Sequence, residues 1–428
     1  MTSKARSVSV LAVVVAAFWA TPGRGVAAAP TPRYSDVSAV GKAGAAYKPL
    51  VINSSNQMVG LEPNGQPFFV NAGVVHRPAM PKHVTCWQLT GLNNSGQVAG
   101  WEETGASCTA PIQPITGSIS SGSLSVSVLD SAGGASSGCS AISVNDAGVI
   151  AGMCDAGGSS YVAEWSKSTG YGDPTLLKWP AATIAPPALD GPPPAFTRMI
   201  DDNGDVIGQA RCALNSMVSV GVVWTSGAGA GALFEGRNKL STCSAPVSDT
   251  VPTRVNSIAS HVDTGGAGAS GLVYAVGACR ISGAQPGQNV VPCYWLGKDN
   301  KGKVIFGAPV QADSSKGSQY ASLTDVNGNG WSVGSEGNPK NTTALWIPKS
   351  TGSRILTIHP LHKIIPIGAW VVPGPICGGF GADSISERGS IAGVGKKDKR
   401  GTGFLLTVKS HAAVRGDRRG VSGTGCQE

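Results

Sequence analysis

The sequence predicts an all-β fold, a seven-bladed β-propeller-like ring, with six blades or a β-solenoid as the alternatives. Three observations carry that expectation. First, a nine-residue block recurs: Leu92 to Gly100, reading apolar, Asn or Asp, two small polar residues, Gly, polar, apolar, small, Gly, returns at Val144 to Gly152, Ile200 to Gly208, Val326 to Gly334 and Ile385 to Gly393. Second, most copies are followed by an apolar segment that ends in an aromatic residue, at Trp165, Trp224, Trp295 and Trp346. Third, 14 % of the residues are charged and 60 of 428 are Gly, against roughly 25 % charged in an average soluble domain, which marks a turn-rich chain.

The chain opens with Lys4 and Arg6, an apolar run from Val8 to Ala20, and Val26 and Ala28 placed as a small-residue cleavage site. That layout reads as a secretory signal over residues 1–28, and the thirteen apolar residues fall short of the roughly 20 a helix needs to cross a bilayer. Residues 29–49 form a lead-in rich in Pro, Gly and Ala, a candidate for a strand that closes the ring. The repeat domain follows over 50–408, and a basic tail over 409–428.

Within each block the Asn hydrogen-bonds its own backbone and the Gly takes positive φ, so the block is the turn of a β-hairpin. Its flanks are short and β-branched, as in Ala141 to Val144 before the turn and Val149 to Ala151 after it. A weaker copy at Ile52 to Gly60 opens the series, and another is split by an insertion between Val255, Asn256 and Tyr274 to Gly277, which makes seven. The closing Gly of each copy, at 60, 100, 152, 208, 277, 334 and 393, suits a bulge or a close approach of another backbone. A unit of three or four strands cannot bury both faces alone and must stack on its neighbours. Gly-to-Gly spacings of 40, 52, 56, 69, 57 and 59 match the roughly 40–50 residues of a propeller blade plus insertions. Those insertions are read at Glu102 to Gly138, Ser166 to Phe196, Ser226 to Arg254, Lys298 to Tyr320 and Pro348 to Gly379. Gathered on one rim, they would form the binding face.

The blocks at Leu92 to Gly100, Val144 to Gly152 and Ile200 to Gly208, each leading to a strand that in most units ends in Trp, resemble the HAF-type extracellular repeats of bacterial secreted proteins, in spaced fragments over most of 50–408. The His, Ala, Phe triplet that names that family is replaced here by Ala163, Glu164 or Val222, Val223. The resemblance implies export and a propeller-like fold, and brings no catalytic residues with it.

Ten cysteines suit an oxidising compartment. Their order predicts sequential disulfides, Cys86 with Cys108, Cys139 with Cys154, Cys212 with Cys243, Cys279 with Cys293, and Cys377 with Cys426 fastening the tail. The formal charge of +8 falls to +5 without residues 1–28, and residues 396–419 alone carry a local +6. The body is therefore nearly neutral, which argues against nucleic acid as a partner.

Asp325, Asn327, Asn329, Gly330 and Glu336 match the spacing of a calcium loop, so Asp325, Asn327, Asn329 and Glu336 are metal-ligand candidates, with calcium as the cofactor in question. Asn327 and Gly330 are also the repeat's own turn residues, which explains half the match without metal. Gly134 to Gly138 spells GxSxG without the strand-to-helix context of a hydrolase elbow, and Arg415, Gly416, Asp417 is an integrin-type tripeptide in a Gly- and Arg-rich tail. The six histidines make no compact ligand set and read as surface-loop residues. Trp101, Trp179 and Trp370 fall in or beside insertions and are the ligand-surface candidates. The chain thus reads as a secreted, monomeric, non-enzymatic module that binds an extracellular glycan or protein through rim loops. A lyase or hydrolase on the same scaffold, which needs paired inward carboxylates, and a structural envelope protein are the alternatives.

Overall fold

The computed structural model describes residues 32–410 apart from 42–45, 80–81, 104–111, 133–137, 182, 185–195, 213–218, 227–230, 235–250, 261–270, 281–289, 300–303, 313–321, 337–341, 365–369, 372–380 and 398–399. The described strands fall into seven antiparallel sheets of four or five strands. Sheet 1 is Lys48–Ile52, Met58–Leu61, Pro67–Asn71 and Val74–His76. Sheet 2 is Cys86–Leu92, Gln97–Glu103, Gln113–Ser120 and Ser123–Val128. Sheet 3 is Cys139–Val144, Ile150–Ala156, Ser159–Trp165 and Thr175–Leu176. Sheet 4 is Thr183–Ile184, Val206–Cys212, Ser219–Trp224 and Ala232–Leu233. Sheet 5 holds Val251–Ser260, Leu272–Arg280 and Val290–Asp299, with Val304–Phe306 and Val310–Gln311 on its outer edge. Sheet 6 is Ser322–Val326, Ser332–Glu336, Thr342–Pro348 and Leu356–Pro360. Sheet 7 combines Trp370–Val371, Gly381–Ile385, Ile391–Lys397 and Arg400–Ser410 with Arg33–Val40.

First strands pack on one another from sheet 1 to sheet 3 and from sheet 5 to sheet 7. Sheet 4 joins the series through the Asn145 bond to Asp201 O and through Val206–Cys212 and Ser219–Trp224 against Val251–Ser260. Lys48–Ile52 meets Gly381–Ile385, so the series closes on itself. The lead-in completes the closure: Arg33–Val40 pairs antiparallel with Arg400–Ser410, and Tyr34 donates its hydroxyl to the Gly389 carbonyl at 3.1 Å. Closure by a sheet that joins the lead-in to the last strand of the chain's repeats is propeller architecture and excludes the solenoid.

Two expectations about the repeats need correction. The segments read as insertions contain third and fourth strands, such as Gln113–Ser120 and Ser123–Val128 within Glu102 to Gly138. Fourth strands as short as Thr175–Leu176 carry no periodicity to recognise. Asn256 is not the turn residue of the split copy; Val255 pairs with Gly277 and Ser257 with Val276, leaving Asn256 unpaired, three residues before the hairpin position held by Ala259.

Trp165, Trp224, Trp295 and Trp346 are fully buried, each removing roughly 4–6 kcal/mol of apolar surface from water. Three are also tied to the connection entering their own sheet: Trp165 donates to Asp130 O, Trp224 to Lys178 O, both at 2.8 Å, and Trp346 to Ala312 O. Cys139–Cys154 and Cys279–Cys293 are disulfides within sheets 3 and 5, as the spacing predicts, and mark an oxidising environment. Cys86 is disulfide-bonded, and no cysteine is free among the described residues. Cys108, Cys243, Cys377 and Cys426, the side chain of Cys212, residues 134–137 of the GxSxG stretch and Arg415 to Asp417 lie outside them. No helix among the described residues is long and apolar enough to cross a membrane.

The turn residues build a belt around the ring. Asn93 Oδ1 accepts from Ser95 N and Gln97 N at 3.1 and 2.8 Å, which fixes the hairpin. Its amide meanwhile donates to the next sheet's Asn145 O at 2.9 Å. The same step runs from Asn53 to Asn93 O, from Asn145 to Asp201 O and from Asn327 to Ser386 O, each at 2.9 Å. One residue on, a second belt links backbone to side chain: Ser54 N to Asn94 Oδ1 at 2.8 Å, Asn94 N to Asp146 Oδ1 at 2.8 Å, Asp146 N to Asp202 Oδ1 at 2.9 Å and Gly328 N to Glu387 Oε2 at 2.6 Å. The repeat's Asn is therefore a turn residue and an inter-sheet tie at once.

Candidate functional site

The innermost strands carry a bulge at one fixed place, and the bulges make the site. Pro49 pairs with Gly60 and Val51 with Val59, so Leu50 has no partner; the same skip leaves Thr90, Ile142, Asn256, Thr324 and Asp383 unpaired. A bulge turns its extra residue out of the ladder and increases the local twist. Here it also brings a carbonyl over the closing glycine. A Cβ on Gly60, Gly100, Gly152, Gly334 or Gly393 would lie 2.0–2.2 Å from the oxygen of Lys48, Gln88, Ser140, Ser322 or Gly381 respectively. Both readings of that glycine, bulge and close approach, hold at these positions. In sheet 4, Arg198 occupies the equivalent place, three residues before Asp201.

All six bulged residues line one cavity of about 300 Å³ at the start of the inner strands, together with Lys48, Val51, Gln88, Trp101, Phe196, Thr197 and Ser322. Thr90 and Thr324 anchor the wall, donating to Ala141 O and Ala382 O of the next sheet at 3.1 and 2.8 Å. At the turn end, Arg198 crosses from sheet 4 to sheet 7, where it bonds Glu387 and reaches Ile385 O at 3.4 Å. Burial disfavours the guanidinium charge, but Glu387, Asp325 and Asp202 outweigh it and hold the Arg198 pKa above its ordinary value. Burial likewise raises Glu387, with Arg198 opposing. Only about 30 Å³ remains around this spoke. The channel is thus a chamber at one end and a bonded plug at the other.

Within the chamber wall, two buried polar atoms have no partner, Trp101 Nε1 and Asn256 Oδ1, and two charged groups stand near them, the exposed Lys48 and the half-buried Asp383. Lys48 and Asp383 stand on neighbouring sheets yet make no ion pair, the described pairs being Arg77–Glu62 and Arg198–Glu387. Burial pushes the Asp383 carboxyl up to about 7, with the Lys48 ammonium pulling the other way. Trp101, 9 % exposed, has an unpartnered Nε1, and Asn256, 5 % exposed, has an unpartnered Oδ1. The Asn256 amide nitrogen donates to Leu323 O at 2.6 Å, and a carbonyl can only accept, so the oxygen is the atom left over.

Of the sequence-predicted ligand residues, Trp101 alone is placed in the chamber, as wall and not rim. Trp179 donates to Ser160 O at 3.1 Å and packs edge-on against Trp224 at 5.0 Å, so it covers the core. Trp370 pairs with Lys397 at the sheet 7 edge, and its side chain lies outside the description. The calcium set does not converge. Asp325 accepts from Ser257 Oγ at 2.6 Å, Ser384 Oγ at 2.8 Å and Val326 N and Ile385 N at 2.9 Å, filling both oxygens with protein donors. Asn327 and Asn329 are spent on the turn and on Ser386 O and Glu387 O. Glu336 lies three residues along its strand from the Asp325 level, about 10 Å away at 3.4 Å per residue. Asp325 is an inter-sheet clamp. His76 stacks on Phe69 at 4.9 Å and His359 sits in an outer strand, so neither is a loop residue. The sequence hid Leu50, Thr90, Ile142, Thr324 and Asp383, whose one signal is a fixed offset of three residues before the turn position.

No family model matches the chain, and no curated protein does. Among solved structures it is similar to YCF48 bound to D1 peptide, at 10 % identity and TM-score 0.46, covering 91 % of this chain and 100 % of that one. It is also similar to catalytically inactive virginiamycin B lyase from Staphylococcus aureus with quinupristin, at 12 % and 0.39, covering 87 % and 99 %, and to Trypanosoma rangeli sialidase with the inhibitor DANA, at 10 % and 0.36, covering 87 % and 60 %.

Proposed function

We propose that this chain is a binding module that takes its ligand in the open chamber of the central channel, and that each of its seven sheets is one blade. The observation that carries the reading is the convergence on a single cavity of two buried, unpartnered polar atoms, Trp101 Nε1 and Asn256 Oδ1, with the exposed Lys48 ammonium and the half-buried Asp383 carboxyl. An orphaned buried donor or acceptor costs about 1–3 kcal/mol, and a ligand that pairs with it recovers that cost. The chamber wall carries one carboxyl among the described residues, which supports binding over hydrolysis by paired acids. The signal-like start, the disulfides and the likeness to HAF-type repeats support export, which puts the ligand outside the cytoplasm.

A melting-temperature screen of glycans, peptides and small metabolites on the mature chain tests this. Compounds that raise the melting temperature of the wild type are expected to lose their effect on Leu50→Trp, which fills the chamber. Thr90→Phe serves if that variant fails to fold. Compounds that stabilise wild type and filled variants equally would overturn the reading.

A further inference from the structure

The chamber is polarised. Its donors, the Lys48 ammonium and the unpartnered Trp101 indole, stand on sheets 1 and 2, and its acceptors, the unpartnered Asn256 oxygen and the Asp383 carboxyl, on sheets 5 and 7. Leu50 of sheet 1, Ile142 of sheet 3 and Phe196, on the connection between the first two strands of sheet 4, supply the apolar part of the wall. A purely anionic ligand would pair with Lys48 and leave Asp383 facing a like charge; a purely cationic one would reverse the fault. A neutral ligand would cover the Asp383 carboxyl without pairing it, which costs desolvation with no return. A molecule with both charges avoids all three penalties. The Arg198–Glu387 spoke below is internally neutralised and closes the far end, so the occupant is a small molecule or a chain end.

Resting on the channel reading above, we propose that the chamber binds a small zwitterion, a free amino acid or short unblocked peptide. Its carboxylate lies toward Lys48 and Trp101, its ammonium toward Asp383 and Asn256, and its side chain on Leu50, Ile142 and Phe196. The size fits: about 300 Å³ is at the lower end of small-molecule sites.

The test is titration calorimetry of the mature chain at pH 8 with the twenty free amino acids and glycyl-leucine, alongside N-acetyl-glycyl-leucine amide and maltose. At least one zwitterion is expected to bind, with the blocked peptide and the sugar weaker by tenfold or more. Lys48→Met and Asp383→Asn should each weaken that zwitterion at least tenfold, while Lys48→Arg and Asp383→Glu retain most of the affinity, which separates charge recognition from misfolding. A blocked peptide or sugar that binds as tightly, and is lost in Trp101→Phe, overturns the zwitterion but keeps the channel site. Binding by no probe overturns the zwitterion, and binding indifferent to all these variants overturns both.

Discussion

At the scale of single residues, the fold is governed by one Asn used twice. Asn93→Ala removes three bonds inside the hairpin and one to the next sheet; at about 1 kcal/mol each, the cost in urea unfolding should be about 3–4 kcal/mol. Sheet 4 departs from the pattern, placing Asp201 where sheets 1, 2, 3 and 6 have Asn. Its Oδ1 still closes the turn onto Asn203 N and Asp205 N, but Oδ2 is buried without a partner. Burial, reinforced by Asp205, holds the carboxyl well above the usual carboxylate range. A raised folded pKa gives stability that is present at low pH and lost as pH rises. Asp201→Asn should therefore raise the melting temperature, and more at pH 8 than at pH 5; an equal gain at both would refute that account. The turn Asn and its Gly were legible because a hairpin turn is local chemistry. The inter-sheet half of the Asn's work was not, since nothing in the nine residues says which carbonyl will lie opposite the amide.

At the scale of the element, the repeat is a hairpin with a built-in bulge, and the closing glycine is the residue that permits it. In Gly152→Ala the new methyl would sit 2.0 Å from Ser140 O, with Ala141 Cα at 3.0 Å, so the bulge must open. The expected cost is about 2–4 kcal/mol. Gly158→Ala, at φ +80° but with nothing within 4 Å, should cost about 1 kcal/mol from backbone strain alone. Similar losses for the two would mean the carbonyl contact is unimportant. The sequence marked this glycine and the Trp-ended third strands, because both recur in register. It concealed the bulged residue, which varies as Leu, Thr, Ile, Asn, Thr and Asp at 50, 90, 142, 256, 324 and 383. That variation is what a binding ring needs and what a motif search discards. Trp179 misled for the opposite reason: its place beside a prolonged connection resembled a rim, yet it folds back onto Trp224.

At the scale of the whole molecule, closure by Arg33–Val40 makes one ring of the sheets, and the ring holds several carboxyls out of water. Asp383 is raised to about 7, Asp205 and Glu164 to about 6, in each case chiefly by burial. Each folded value lies above the unfolded one, so their contribution is complete below about pH 4 and drains away as pH climbs to 6–7. Stability should fall between pH 5 and pH 8 by on the order of 2 kcal/mol, measured by urea midpoints; a rise would contradict these environments. A ligand that enters the channel chamber, and not a tryptophan rim, must come against the Trp101 indole. The most direct measurement follows the indole N–H resonances of the ¹⁵N-labelled mature chain during titration with a compound that raises its melting temperature. The Trp101 resonance should shift, while those of Trp165, Trp224 and Trp346, committed to backbone carbonyls, stay in place. A still Trp101 with movement confined to Trp370 would contradict the account.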